Sequence, residues 1–132
     1  MSKINGKHNI IYIGLTEDRH IKIGVTQQCA YDRTYKADYN IKFYYDAQDA
    51  ITNRKVLFWA ESRLREEMCK HYPRHSTRQD CFVLTDSDFY IHFINCVEKL
   101  KKLNPNILPF GELIEYIEQA EYWEHKRIAW GL

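Results

Sequence analysis

Glu61 interrupts an apolar stripe. Leu57, Leu64 and Met68 recur at spacings of seven and four, one face of a helix, and Glu61 falls on that face, four residues after Leu57 and three before Leu64. A carboxylate among apolar neighbours is costly unless it meets a cation, a metal ion or the mouth of a cleft. Arg33 stands between Ala30 and Ala37 at helical spacing, with small neighbours that leave room around a guanidinium. Two accounts fit both residues at this point: they pair with each other or lie at the edge of their stripes, or they serve a ligand.

Upstream, strand parity sorts two further candidates. Ile11, Ile13 and Leu15 point one way, as do Ile21, Ile23 and Val25 on a return strand, and these six make a core face. The opposite face carries Tyr12, Gly14, Lys22, Gly24 and Thr26. It offers a phenol and a cation, with bare backbone at the glycines where a bulky ligand can approach. A plain half-solvated sheet has the same pattern.

The elements that must position these side chains follow from local signals. Residues 9–15 are β-branched and aromatic and read as a strand; 16–19 are turn-like, and 20–25 return as a hairpin. Thr26 fits the N-cap of a helix over 27–37. A third strand spans 39–45, and a long helix runs over 53–71, halted before Pro73. Residues 81–84 form a short strand, and Thr85-Asp86-Ser87-Asp88 resembles a capping box opening a helix to Leu103, where Lys99, Lys101 and Lys102 suit the C-terminal dipole. A last helix over 110–126 sets Phe110, Leu113, Ile114 and Ile117 against Glu112, Glu115, Glu118 and Glu121, a packing face and a solvated acidic face. The last two helices read as scaffold or partner-binding elements.

Tyr12, then Lys22-Ile23-Gly24-Val25-Thr26, then Arg33, then Glu61 resemble the signature of the GIY-YIG nucleases. The branch whose second motif reads Lys-Ile-Gly, common in phages and large viruses, is the most similar. The resemblance covers residues 9–84 and includes Asp80-Cys81-Phe82, similar to that branch's acidic-aromatic-Phe strand. It implies an α+β fold, a small antiparallel sheet of three to four strands flanked by helices, here with two extra C-terminal helices. Residues 1–132 would be one domain: a nuclease core over 9–84 and a helical extension over 86–132.

The implied activity is endonucleolytic hydrolysis of DNA phosphodiesters with one Mg²⁺ or Mn²⁺. Tyr12, Lys22, Arg33 and Glu61 would be the catalytic set. Glu61 would hold the ion, the hard oxygen ligand such cations prefer, Arg33 would grip the phosphate, and Tyr12 would orient or deprotonate the attacking water. Gly24 would give clearance beside the helix carrying Arg33. Lys22, Thr26, Lys36, Arg63 and Arg65 would contact double-stranded DNA. Two departures bear on the chemistry: the first motif's glycine is Ile10 here, and the second motif's tyrosine is Lys22. Lys22 could assist Tyr12, contact phosphate or act as the base itself. Ala37 also stands where some relatives carry a histidine. The alternative reading is a catalytically inactive module of the same fold that binds DNA or a host protein.

Charge is distributed in keeping with a polyanion meeting the first part of the chain. Residues 1–80 hold 14 Lys/Arg against 10 Asp/Glu, and residues 81–132 hold 5 against 8. Arg63, Arg65, Lys70, Arg74 and Arg78 could track a phosphate backbone or form a solvated face. Cys69, His71, His75 and Cys81 include zinc-ligand types, but their spacing matches no standard ligand pattern, and Cys69 and His71 face different ways on a helix. No apolar run approaches the roughly 20 residues that span a bilayer, and the first seven residues lack a signal peptide's apolar stretch. The expectation is an intracellular, reducing compartment, a host cytoplasm if the protein is viral, with four free thiols. A homodimer or a protein partner would use the C-terminal helices.

Overall fold

A computed structural model describes residues 8–35, 37–51, 54–103 and 109–131. Strands β1 (Ile10–Thr16) and β2 (His20–Thr26) form the expected hairpin, with Tyr12 opposite Gly24 and Ile13 opposite Ile23. The turn closes through the Thr16 hydroxyl, which accepts the His20 N–H at 2.9 Å, while Arg19 takes a positive φ of 63°. Helix α1 (Ala30–Thr34) follows, then β3 (Tyr39–Asp46), a 3₁₀ turn (Gln48–Ala50) and helix α2 (Arg54–Cys69). Next come β4 (Cys81–Val83), α3 (Phe89–Leu103), β5 (Leu113–Glu115) and α4 (Glu118–Ala129). The strands make one antiparallel sheet in the order β4-β2-β1-β3-β5. The α+β class and the small antiparallel sheet flanked by helices are therefore as the sequence implies.

One sheet face is conventional. Ile11, Ile13, Ile21 and Ile23 are wholly buried beneath α2 and α3. Helix α2 supplies Leu57, Ala60, Leu64 and Met68 at helical spacing, and α3 supplies Phe93, Cys96, Val97 and Leu100. The other face forms a second, smaller cluster of Ile10, Tyr12, Ala30, Tyr39, Ile41 and Tyr44. Far from half-solvated, Tyr12 is 0% exposed and Lys22 6%.

Three elements depart from the sequence reading. Helix α1 spans five residues, not the expected 27–37. Thr26 does not cap it: its hydroxyl accepts the Gln28 N–H at 3.0 Å in a turn that ends before Cys29, the residue at the N-cap. The helix stops at Thr34, whose hydroxyl bonds back to the carbonyls of Ala30 and Tyr31, so Ala37 lies beyond it. The capping box at Thr85 is likewise displaced. Helix α3 starts at Phe89, and Asp86 accepts the Asp88 N–H and the Tyr72 hydroxyl at 2.9 and 2.6 Å.

The last helix begins eight residues late. Residues 113–115 form a fifth strand on the open edge of β3, and the Tyr116 N–H extends the pairing to the Lys42 carbonyl at 2.9 Å. Gly111, at φ +71°, takes the left-handed conformation just ahead of it. Pairing with an exposed edge outcompetes the helical period, because the unpaired N–H and C=O groups of β3 are satisfied only by an extended neighbour. Phe110 is buried, but Ile114 and Ile117 are 40% and 55% exposed, so the stripe does not act as a packing face. The extension is woven into the core: α3 packs on α2, β5 on β3 and α4 on α1. All four cysteines are free thiols. Among the described residues, no helix is long and apolar enough to cross a membrane.

Candidate functional site

Tyr12, Lys22, Arg33 and Glu61 come from β1, β2, α1 and α2, and all four line one cleft of about 500 Å³. Gly24, Thr26, Gln27, Gln28, Arg54, Phe58 and Asp80 complete much of its wall. The sheet sets its floor. Tyr12 lies between Gly24 on β2 and Tyr39 on β3, with the two tyrosine rings stacked at 5.7 Å and 10° and their hydroxyls 2.8 Å apart. A Cβ at Gly24 would sit inside the Tyr12 phenol, so this glycine makes room for the tyrosine, not for the helix carrying Arg33.

Tyr39 reaches Tyr12 through a bulge. Ile13 pairs with Phe43 while Gly14 pairs with Ile41, so Lys42 is an extra residue in β3. Strict alternation would send Tyr39 and Ile41 to the face of Phe43 and Tyr45; the bulge reverses their parity and places them with Tyr12 and Tyr44. Gly14 permits the local approach, because a Cβ there would strike the Asn40 carbonyl.

The cationic side of the cleft is held in place by neighbours. Arg33 Nε donates to the Tyr12 hydroxyl at 3.4 Å. Burial works against its charge, but the hydroxyls of Tyr12 and Tyr39 hold the guanidinium pKa above its ordinary value. Burial also pushes the Tyr39 phenol well up, assisted by Tyr12, so it stays a neutral hydroxyl at neutral pH. Lys22 forms an ion pair with Asp80 and lies 5.3 Å from the centre of the Tyr39 ring. Burial disfavours the Asp80 charge, yet the Lys22 hydrogen bond prevails and sets its carboxyl below the usual range.

Glu61 differs from the others in being underpaired. Its side chain is 17% exposed, and its ion-pair partner among the described residues is Arg65, at 3.9 Å. Desolvation raises the Glu61 pKa, with Arg65, Lys22 and Arg33 pulling the other way and Asp80 adding to the rise. A desolvated carboxylate with one distant partner, facing a second acid across a polar cleft, is the kind of oxygen donor that suits a hard divalent cation. The residues present fit such an ion, with Glu61 as its ligand.

Not every expected contact residue joins the cleft. Thr26 lines it. Arg65 sits at Glu61 and the Ser62 hydroxyl. Arg63 stacks over Trp59 at 5.7 Å and lines a different hollow with Glu67, Lys70 and Lys99. Lys36 lies outside the described residues. Cys69, His71, His75 and Cys81 do not converge: Cys69 Sγ accepts from Arg74, His71 meets Glu67 and stacks on His92, and Cys81 is buried in β4.

The sequence reading passed over Tyr39, Asp80 as the partner of Lys22, and the Arg54–Phe58 pair at the rim, where the guanidinium lies 5.5 Å from the ring. It also missed a cluster of Asp18, His20 and His75, whose ligand atoms fall within 4.8 Å of one another. His75 Nδ1 there accepts the N–H groups of Thr77 and Arg78 at 3.1 and 3.2 Å. Those contacts engage Nδ1, so the ring's other nitrogen, Nε2, is the one they leave toward the cluster. Comparison of the chain with models of known protein families, with characterised proteins and with solved structures finds no match.

Proposed function

We propose that the cleft hydrolyses phosphodiester bonds in DNA with one bound Mg²⁺ or Mn²⁺, in the manner of a GIY-YIG nuclease. One observation carries this reading: four residues spread from position 12 to position 61, on four separate elements, line a single polar cleft. Arg33 presents a planar fork of donors to a phosphate whose charge spreads during reaction. Tyr12, its hydroxyl fixed by Tyr39 and Arg33, orients the attacking water. Lys22, engaged as a cation by Asp80, contributes positive charge next to the phosphate. Glu61 holds the ion, which when bound neutralises phosphate charge and stabilises the leaving oxygen.

The ion pair of Lys22 with Asp80 favours a second reading. Where the family resemblance calls for a tyrosine, this chain has a lysine already committed to a carboxylate, an arrangement suited to an inactive module that binds DNA or a host protein. Nicking of supercoiled plasmid in Mg²⁺ or Mn²⁺ separates the two. The expected result is metal-dependent nicking by the wild type, abolished in Glu61→Gln with DNA binding retained, and reduced by roughly 10²-fold or more in Arg33→Ala. Wild type that binds DNA but cuts under neither ion would establish the module instead; equal cutting by all three proteins would refute the site.

A further inference from the structure

Phe58 takes no part in holding the fold. It is 49% exposed and belongs to neither core cluster, whereas its neighbours Leu57 and Trp59 both pack against the larger one. A single apolar side chain on an open surface is ordinary, but Phe58 is part of the cleft wall. Spacings of four and three put Arg54, Phe58 and Glu61 on one stripe of α2. Phe58 thus precedes the Glu61 carboxylate by ~4.5 Å of helix rise. The Arg54 guanidinium caps one face of its ring at 5.5 Å, and the other face is available to a ligand.

The charges and size of the cleft narrow what that face meets. Lys22, Arg33 and Arg54 line it against Glu61 and Asp80, and Lys22 is paired with Asp80. With Glu61 given to a metal ion, Arg33 from α1 and Arg54 from α2 are the lining cations that meet a phosphate. A nucleic-acid strand is a polyanion that carries a flat π-face within one sugar of every phosphate. Such faces stack on aromatic side chains whatever the base, and a guanidinium beside the ring adds to the attraction. A base inside a duplex is already stacked and paired, so it turns its face to a protein ring only when it is unpaired or extruded. The cleft, at about 500 Å³, has the volume of a pocket for one small-molecule-sized unit, which fits a single nucleotide.

We infer that Phe58 is a stacking platform for a nucleobase, and that the cleft selects DNA with an unpaired nucleotide beside the phosphate held by Arg33. This rests on the reading of the cleft as a DNA site, but not on its being catalytic.

Three end-labelled duplexes test it by fluorescence anisotropy with the full chain. One is fully paired, one carries a single extra adenine, and one carries an abasic sugar in place of that adenosine. Ca²⁺ replaces Mg²⁺, since it binds the same oxygen ligands with looser geometry. The wild type should bind the adenine duplex roughly tenfold tighter than the other two, the scale of one base stacked on an aromatic ring. Phe58→Leu should bind all three equally, at the wild-type affinity for the paired duplex and with an unchanged salt dependence. Phe58→Trp should keep the preference; the position is exposed, so both variants fold. Equal binding of the adenine and abasic duplexes by the wild type, or a tenfold preference surviving in Phe58→Leu, would overturn the platform and leave the cleft a DNA site. No binding of any duplex at roughly 100 μM protein, the weak end of non-specific affinity, would overturn the DNA reading and the platform with it.

Discussion

The two faces of the sheet bury comparable side chains for different ends. On the α2/α3 face, Ile11, Ile13, Ile21 and Ile23 meet Leu57, Leu64 and Phe93, and the buried phenols there, Tyr45 and Tyr72, turn their hydroxyls outward to Glu98 and Asp86. On the opposite face, Tyr12, Tyr39 and Lys22 are also buried, but each polar atom is matched: phenol to phenol, guanidinium to phenol, ammonium to carboxylate. Burial on the first face stabilises through area and packing. On the second it costs desolvation, which the paired hydrogen bonds offset, and what results is a set of oriented polar groups at the floor of a cleft. The sheet's own cleft residues thus lie on the second face, while Glu61 reaches the same cleft from α2, the helix whose Leu57 and Leu64 pack the first.

The comparison can be broken by exchanging the expected effects. Leu64→Ala on the apolar face should produce the largest loss of stability, about 2–5 kcal/mol, because a wholly buried side chain is replaced by a cavity. Urea unfolding measures it, and any cleavage activity below the unfolding range should keep its wild-type metal dependence. A Leu64→Ala protein that is stable but altered in metal response would merge the two faces.

Gly24→Ala should have a smaller effect on stability, about 1–3 kcal/mol, but a larger one on the cleft. The new methyl group collides with the buried Tyr12 phenol and forces the Tyr12–Tyr39 pair apart. The double variant Gly24→Ala/Tyr12→Phe should regain part of the lost stability by removing the nearest colliding atom, without restoring turnover. If Gly24→Ala unfolds at the wild-type urea midpoint, the phenol is not held as described.

The smallest effect is a pH dependence that sharpens the contrast within the cleft. Glu61 has its folded pKa raised by burial, so its contribution to stability is present below the unfolded value and is lost as pH rises through the folded one. Asp80 has its folded pKa lowered against burial by Lys22, so its contribution is present above the unfolded value, about 3.9, and is lost as pH falls through the folded one. Urea midpoints followed downward from pH 7 should therefore rise slightly through the Glu61 titration and then fall at the acid end. Glu61→Gln should remove the rise and be more stable than the wild type at neutral pH; Asp80→Asn should flatten the acid end and be less stable at neutral pH. An unchanged profile in both variants would mean that neither carboxylate feels the cleft.

How much of this could be read from residues alone depends on the range of the interaction. The parity of 11–15 and 21–25 is local, and it correctly sorts Tyr12, Lys22 and Gly24 onto one face because side chains alternate along any strand. The helical stripe of Leu57, Leu64 and Met68 is equally local, and Glu61 is conspicuous for interrupting it. Tyr39 was hidden because its face is set by the bulge at Lys42, and a bulge is a property of pairing with β1 that leaves no periodic trace in β3 itself. The partnership of Lys22 with Asp80 joins residues 58 positions apart across β2 and β4, a distance over which no spacing rule operates. Residues 113–115 carry a helical period and still form a strand, since the unpaired edge of β3 offered them backbone partners that a helix would have left unsatisfied. Side-chain type and local period thus determined which residues were candidates and which face each would take; strand register and edge pairing, which only the folded chain sets, decided which of them meet.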